Sequence, residues 1–119
     1  MLTIIHGADF HLDAPFAALP PDKARQRREE QRQLLDRLAD LAQEVRADLV
    51  LLSGDLLDSS QTYQETVEAL SRTLGQIQAP VFIAPGNHDC YGPRSVYANS
   101  PWPDHLQLFS TVSVDAVAL

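Results

Sequence analysis

The strongest constraint on the fold is an alternation of short apolar segments with longer amphipathic ones. The apolar segments at 2–9, 48–55 and 80–87 predict three buried strands. Helical patterns lie between them, at 23–47 and after the helix start signals at 59–65. Because consecutive strands joined by helices pair in parallel, this order predicts an α/β fold with a largely parallel sheet flanked by helices.

Each predicted helix carries an apolar stripe that we expect to face the core. The stripes are Leu34, Leu38, Leu41 and Val45 in the first helix and Val67, Leu70, Leu74 and Ile77 in the second. Asp22 is the predicted N-cap of the first helix. Thr62 and Glu65 predict a capping box at the second. Residues 90–105 predict a loop with one short helical turn, and 106–119 predict one or two strands.

Composition limits the environment and the partners. The chain has 119 residues and a formal net charge of −7, which opposes unspecific attraction to nucleic acid unless cations bridge the repulsion. The single cysteine, Cys90, excludes an internal disulfide and indicates a reducing compartment. The sequence has neither a membrane-length apolar run nor a basic leader. We therefore expect a cytoplasmic protein with no membrane partner.

Polar side chains follow all three predicted strands, where open α/β sheets bind their ligands. They are Asp9 and His11, then Asp55 and Asp58, then Asn87, His88 and Asp89. Any one of these groups alone is typical of a turn. Because the carboxyl ends of parallel strands meet at one edge of the sheet, the three groups together predict a binding site there.

The donor types at this edge indicate divalent metal ions. Carboxylate, imidazole and amide oxygen suit Mn, Fe, Zn or Mg. Asp9 and His11 can turn toward one ion, Asp55 can bridge two ions, and Asn87 can give its amide oxygen to the second. Two ions about 3.5–4 Å apart would clamp a phosphate and make a hydroxide nucleophile available at neutral pH.

Three segments resemble the motifs of the calcineurin-like metallophosphoesterases in order and in spacing. They are DFH at 9–11, GDLLD at 54–58 and GNHD at 86–89. The segments IIHGADFHLDAPF and VFIAPGNHD are most similar to the nuclease subunit of the SbcCD-type DNA repair exonucleases. The resemblance implies a metallophosphoesterase-type αββα sandwich, of which this chain is similar to the N-terminal half.

The resemblance also implies roles for individual residues. It implies the same four metal ligands, Asp9, His11, Asp55 and Asn87. His88 would act near the leaving oxygen as a general acid or stabilise the transition state, with Asp89 orienting its ring. The implied reaction is phosphodiester hydrolysis by a hydroxide that bridges two metal ions, usually manganese. The implied partners are DNA or another phosphodiester substrate and an SMC-like ATPase.

One part of the family pattern has no counterpart here. The family continues with a further histidine and a Gly-His-x-His motif, whereas His105 is the only histidine after Asp89 and is expected in a surface loop. We therefore expect residues 1–119 to form the N-terminal part of a single metallophosphoesterase domain whose C-terminal part is missing. On this interpretation the chain binds metal weakly, has little or no activity alone, and self-associates through an exposed sheet edge.

Several alternatives remain open at the level of sequence. The substrate is DNA, or instead a small phosphoester or cyclic nucleotide, and a further alternative is an inactive interaction or structural module. Asp58, where some nucleases of the family have histidine, either hydrogen-bonds a metal ligand or caps its loop. Asp13 either orients His11 or begins the loop. His6 is expected in the core, and the basic stretch 23–32 is expected to be a solvated helix face.

Overall fold

A computed structural model of the chain describes residues 1–59, 62–100, 102–110 and residue 117. In chain order the elements are β1 (Ile4–Gly7), α1 (Pro21–Glu44), β2 (Leu49–Ser53), α2 (Gln64–Gln76), β3 (Val81–Ala84), α3 (Val96–Asn99) and β4 (Leu106–Leu108). The short α3 and β4 agree with the predicted helical turn and C-terminal strand. The part of that strand prediction at 111–116 and 118–119 lies outside the described residues.

The four described strands form one parallel sheet in the order β1-β2-β3-β4. Its register aligns Ile5 with Val50, Val50 with Val81, and Val81 with Leu106. This parallel sheet flanked by helices confirms the predicted α/β class. Because all four strands run in the same direction, their carboxyl ends lie along one edge of the sheet.

Both long helices pack on one face of this sheet. Alternate strand residues such as Val50, Leu52 and Ile83 belong to the same buried cluster as Leu70 and Leu74 of α2. On the opposite face, Ile4 is 47% exposed and His6 is exposed. The prediction of a core histidine at position 6 is therefore wrong, because alternate residues of β1 point away from the helices. The His6 Nε2 atom lies 3.0 Å from the Ser53 hydroxyl.

The predicted stripe of α2 is confirmed. That of α1 is wrong except for Leu38, which is partly buried and packs against the core. In α2, all four predicted residues are buried. In α1, Leu34, Leu41 and Val45 are 42–49% exposed, and the fully buried side chains are Ala24, Leu35, Ala39 and Ala42. The helix is therefore rotated about its own axis by about 100°, the angle between successive residues, relative to the predicted orientation. No helix in the described ranges combines the length and apolarity needed to cross a bilayer.

Both predicted helix caps are also wrong. Helix α1 begins with Pro21, directly after the N-cap Pro20, and Asp22 lies in its first turn, where a negative charge interacts favourably with the helix dipole. Tyr63 occupies the N-cap position of α2, and its side chain makes no capping hydrogen bond. Thr62 donates its hydroxyl hydrogen to the distant carboxylate of Asp13 instead.

Candidate metal centre

The loop after β1 and the loop after β2 continue the parallel pairing beyond the sheet. The Asp9 and His11 backbone N–H groups donate to the carbonyl oxygens of Gly54 and Asp55, at 3.1 and 3.0 Å. Leu12, which is completely buried, forms a parallel bridge with Leu57. The polar residues that follow the two strands are therefore held side by side by main-chain hydrogen bonds.

The backbone at this edge adopts conformations that side-chain-bearing residues rarely adopt. Asp9, His11 and Asp55 have φ angles of 57°, 49° and 50°. Aspartate and histidine are among the residues that tolerate the left-handed region best, but each such residue still costs on the order of 1–3 kcal/mol. The conformation persists because the hydrogen-bonded loops and the buried Leu12 fix the chain on both sides. Strain of this kind is concentrated at functional sites.

Two groups of potential metal donors meet at this edge and share one histidine. In each group, one ligand atom from every residue lies within 4.8 Å of the others. The first group is Asp9, His11 and Asp55, and the second is His11, Asp58 and His88. Asp9 and His88 are exposed, so the edge is open to a ligand from solvent. The structure thus brings together five of the side chains that follow the strands in the sequence.

The donor chemistry of these groups fits divalent cations. Carboxylate oxygens and imidazole nitrogens are ligands of Mn, Fe, Zn and Mg, and neither group contains a thiolate. The bridging role predicted for Asp55 requires two accessible oxygens. Its Oδ1 atom already accepts a hydrogen bond of 2.9 Å from the His88 backbone N–H. This contact ties the third strand loop to the first donor group.

Gly86 allows the loop after β3 to approach Asp55 closely. A Cβ atom on Gly86 would stand 2.6 Å from the Asp55 backbone nitrogen, far inside contact distance. Sequence analysis identified Gly86 only as part of a motif. The structure gives the physical reason for glycine here, which is that any side chain would separate Asp55 from the turn carrying Asn87 and His88.

Asp58 hydrogen-bonds a predicted metal ligand. The His11 Nδ1 and Asp58 Oδ1 atoms are 3.2 Å apart. This resolves the alternatives left open for Asp58 in favour of ligand contact. A carboxylate that accepts from one ring nitrogen fixes the tautomer and orientation of the ring, and leaves Nε2 free to bind a cation.

Asn87 and His88 lie on the exposed turn after β3. The His88 ring packs edge-on against the His11 ring, with centroids 5.1 Å apart. Asn87 is exposed beside it, directly after Gly86. The assignments of Asn87 as a ligand of a second ion and of His88 as a general acid stay predictions.

Asp89 is buried and connects three segments. Its carboxylate accepts hydrogen bonds from the backbone N–H groups of Leu57 and Gly86, at 3.0 and 2.7 Å, and from the Tyr97 hydroxyl. Asp89 therefore shapes the loops on which the candidate ligands lie. The resemblance implied that Asp89 orients the His88 ring, and that role stays a prediction.

The contact between Tyr97 and Asp89 was not predicted from the sequence. Tyr97 is 3% exposed, and burial, followed by its contact with Asp89, raises the pKa of its hydroxyl. The hydroxyl therefore stays protonated and donates to Asp89. The indole N–H of Trp102 donates in turn to the Tyr97 carbonyl, at 3.0 Å. The spacing of eight residues between Asp89 and Tyr97 does not predict this contact, because it depends on how α3 places Tyr97 next to Asp89.

His105 is not part of this centre, and it lies in the turn before β4, although it is less exposed than a surface loop residue. It is partly buried, and its Nε2 atom lies 3.1 Å from the carbonyl oxygen of Leu74 at the end of α2. Its backbone carbonyl accepts from Val81 N–H at the start of β3. The start of a parallel strand lies at the edge opposite the candidate centre, so His105 helps to pack α2 and β3.

Comparison with known protein families gives one match. A family model described as calcineurin-like phosphoesterase matches residues 2–118. The match covers almost the whole chain, including every candidate ligand at the strand ends.

Proposed function

The chain belongs to the calcineurin-like phosphoesterase family, whose members are dimetal-dependent phosphoester hydrolases, and on this premise we propose that it is a phosphodiesterase similar to DNA exonucleases. The observation that carries the proposal is the convergence of Asp9, His11 and Asp55, with ligand atoms within 4.8 Å of one another at the strand ends. Asp9, Asn87 and His88 are exposed to solvent at this edge.

We propose two divalent cations, with manganese as the favoured metal. Asp9 and His11 would hold the first, Asp55 would contact both, and Asn87 would give its amide oxygen to the second. When bound, such cations supply Lewis acidity to the phosphoryl group and to the attacking water. They also offset the repulsion between an acidic protein and a phosphate substrate.

His88 is the side chain that we propose for proton transfer. Its ring is exposed on the turn after β3, and its backbone is held against Asp55. A protonated imidazole can give a proton to the departing oxygen, as histidines do in general acid catalysis. Asp89 supports this arrangement indirectly, because it fixes the Gly86 backbone that begins the turn.

DNA as the substrate is supported by the motif resemblance to the SbcCD-type nuclease subunit. The same resemblance leads us to propose an SMC-like ATPase as a protein partner. The test compares the manganese-dependent cleavage of single- and double-stranded DNA with the cleavage of a small aryl phosphodiester. We expect low but measurable cleavage that favours DNA and disappears in Asp55→Asn. Preferential cleavage of the aryl ester would support the small-phosphoester alternative, which the aspartate at position 58 favours.

A second candidate is an inactive interaction or structural module. It is favoured by the small size of the donor groups, since each group found among the described residues offers only three side chains. Titration calorimetry with manganese separates the two candidates. We expect weak binding that is lost in Asp55→Asn but kept in the control Asp48→Asn. Asp48 lies just before β2, and its carboxylate accepts a hydrogen bond from the Thr3 backbone N–H. No heat of binding at millimolar manganese would support the inactive module.

A further inference from the structure

Asp13 lies in the middle of the loop between β1 and α1, which also carries Asp9 and His11, and its carboxylate is almost completely enclosed. Its side chain is only 5% exposed. Arg32 Nη2 and the Thr66 hydroxyl donate to Oδ1, at 3.1 and 2.8 Å. The Tyr63 backbone N–H donates to Oδ2 at 3.1 Å, and the Thr62 hydroxyl donates to the same atom. One carboxylate thus receives four hydrogen bonds.

These four donors come from separate parts of the fold. Arg32 lies in the middle of α1, whereas Thr62, Tyr63 and Thr66 surround the start of α2. The same Arg32 nitrogen also donates to the Thr66 hydroxyl, at 2.7 Å, which closes the network. Asp13 therefore anchors the loop after β1 to both helices. The N-cap side chain of α2 accepts no hydrogen bond at the start of the helix, and the Asp13 carboxylate provides an acceptor there instead.

The chain between this anchor and the candidate centre has little freedom. Leu12 is completely buried, and its N–H and carbonyl pair with Leu56 and Asp58 at 3.0 and 2.9 Å. His11 and Asp13 both have positive φ angles, of 49° and 66°. The Ala14 N–H also donates to the His11 carbonyl. A displacement of Asp13 would therefore move the backbone of His11 and that of Asp58.

We propose that Asp13 is a positioning residue for the candidate metal centre. It holds the strained loop so that the His11 imidazole reaches Asp58 on one side and the Asp9 and Asp55 carboxylates on the other. This inference rests on the proposed function for its metal, but the positioning of His11 can be measured without any metal. Ligand geometry must be held to within about 0.5 Å, so a small shift of this loop weakens the centre.

The test compares Asp13→Asn with Asp36→Asn. Asp36 is a matched control, because its carboxylate also joins α1 to α2. It accepts a hydrogen bond from the Thr73 hydroxyl at 3.0 Å, on α2 rather than on the loop after β1. Asparagine keeps the size of Asp13 but replaces one acceptor oxygen with a donor that opposes the surrounding N–H and O–H groups. The two readouts are manganese affinity by calorimetry and the His11 ring resonances in the metal-free protein.

We expect Asp13→Asn to weaken manganese binding about tenfold and to shift the His11 resonances, while Asp36→Asn changes neither. Unchanged His11 resonances in Asp13→Asn, or equal effects of the two substitutions, would overturn the proposal. If wild type binds no manganese, the proposed function fails, and the metal-free resonances still decide the positioning role. If Asp13→Asn does not fold, Thr66→Val and Thr66→Ser replace it. Valine removes one bond to the carboxylate and should shift His11, whereas serine restores it.

Discussion

The Nδ1 atom of His11 lies 3.2 Å from the Oδ1 atom of Asp58, and both side chains are about 30% exposed. These residues are 47 positions apart in the sequence. Parallel pairing of β1 with β2, extended by the bridge between Leu12 and Leu57, brings them together. The contact sets the orientation of the imidazole that belongs to both candidate donor groups.

Removing this contact should weaken metal binding without unfolding the protein. We expect Asp58→Ala to lower manganese affinity about 10–100-fold, because the ring loses the carboxylate that orients it. Asp58→Asn should lose less, since its amide oxygen can still accept from Nδ1. Calorimetry gives the affinities, with Asp48→Ala as the control at the other end of β2. Wild-type affinity in Asp58→Ala would exclude an orienting role.

A methyl group at Gly86 should disturb the centre directly. Because a Cβ there would meet the Asp55 backbone, Gly86→Ala forces the loops apart. We expect a loss of about 1–3 kcal/mol in the free energy of unfolding, together with the loss of manganese binding. Gly92→Ala is the matched control, since no atom lies within 4 Å of its added Cβ. Urea unfolding and calorimetry should show no change in the control and both changes in Gly86→Ala.

Tyr97→Phe tests the buried carboxylate of Asp89. The substitution removes the hydroxyl donor and leaves a desolvated charge with only its two backbone partners. We expect the free energy of unfolding to fall by about 1.5–3 kcal/mol, as for hydrogen bonds to charged groups. Tyr91 is 43% exposed, so Tyr91→Phe should leave the urea midpoint unchanged. Equal midpoints for both variants would contradict the assigned role of the Tyr97 hydroxyl.

Asp13 should make stability depend on pH in the acid range. Burial raises its pKa, but the hydrogen bonds from Thr62, Thr66, the Tyr63 backbone and Arg32 together hold the pKa below its ordinary value of 3.8. The unfolded chain therefore binds the proton more tightly than the folded one. The stabilisation is present above the ordinary value and is lost as pH falls through the folded pKa.

The measurement is urea unfolding at about pH 6 and about pH 3. We expect the wild-type protein to lose more stability between these conditions than Asp13→Asn, which has no carboxylate to protonate at this position. Asp36→Asn should keep the wild-type difference. A pH dependence in Asp13→Asn as steep as that of wild type would show that Asp13 is not the group responsible.

The edge strand β1 and the exposed apolar residues of α1 both predict self-association. Strand β1 lies at the edge of the described sheet and exposes Ile4, and Leu34 and Leu41 are exposed on α1. An edge strand and exposed apolar side chains each favour contact with a second chain. Sedimentation equilibrium should detect an association that Leu41→Glu weakens and Gln33→Glu, which adds the same charge at an exposed position of α1, does not. A monomer at all concentrations would contradict this prediction.

Local sequence patterns were sufficient for the elements and for the candidate ligands. Apolar runs placed the three strands correctly, and the polar residues after them met at one edge because parallel strands share the direction of their carboxyl ends. The apolar stripe of α2 was also readable, because Val67, Leu70, Leu74 and Ile77 form one continuous row that is buried. These properties depend on neighbours in the chain or on strand direction alone.

The orientation of α1 and the roles of two aspartates depended on the tertiary structure. Helical periodicity offers two adjacent rows in α1, and packing selected Leu35, Ala39 and Ala42 for the core rather than the larger Leu34 and Leu41. In the sequence, Asp13 looks like the start of a loop, and the motif around Asp89 indicates only a role beside His88. Their side-chain donors lie 8 residues away for Tyr97 and 53 residues away for Thr66. A carboxylate accepts whichever donors the fold places around it, so its partners are fixed by packing and not by spacing.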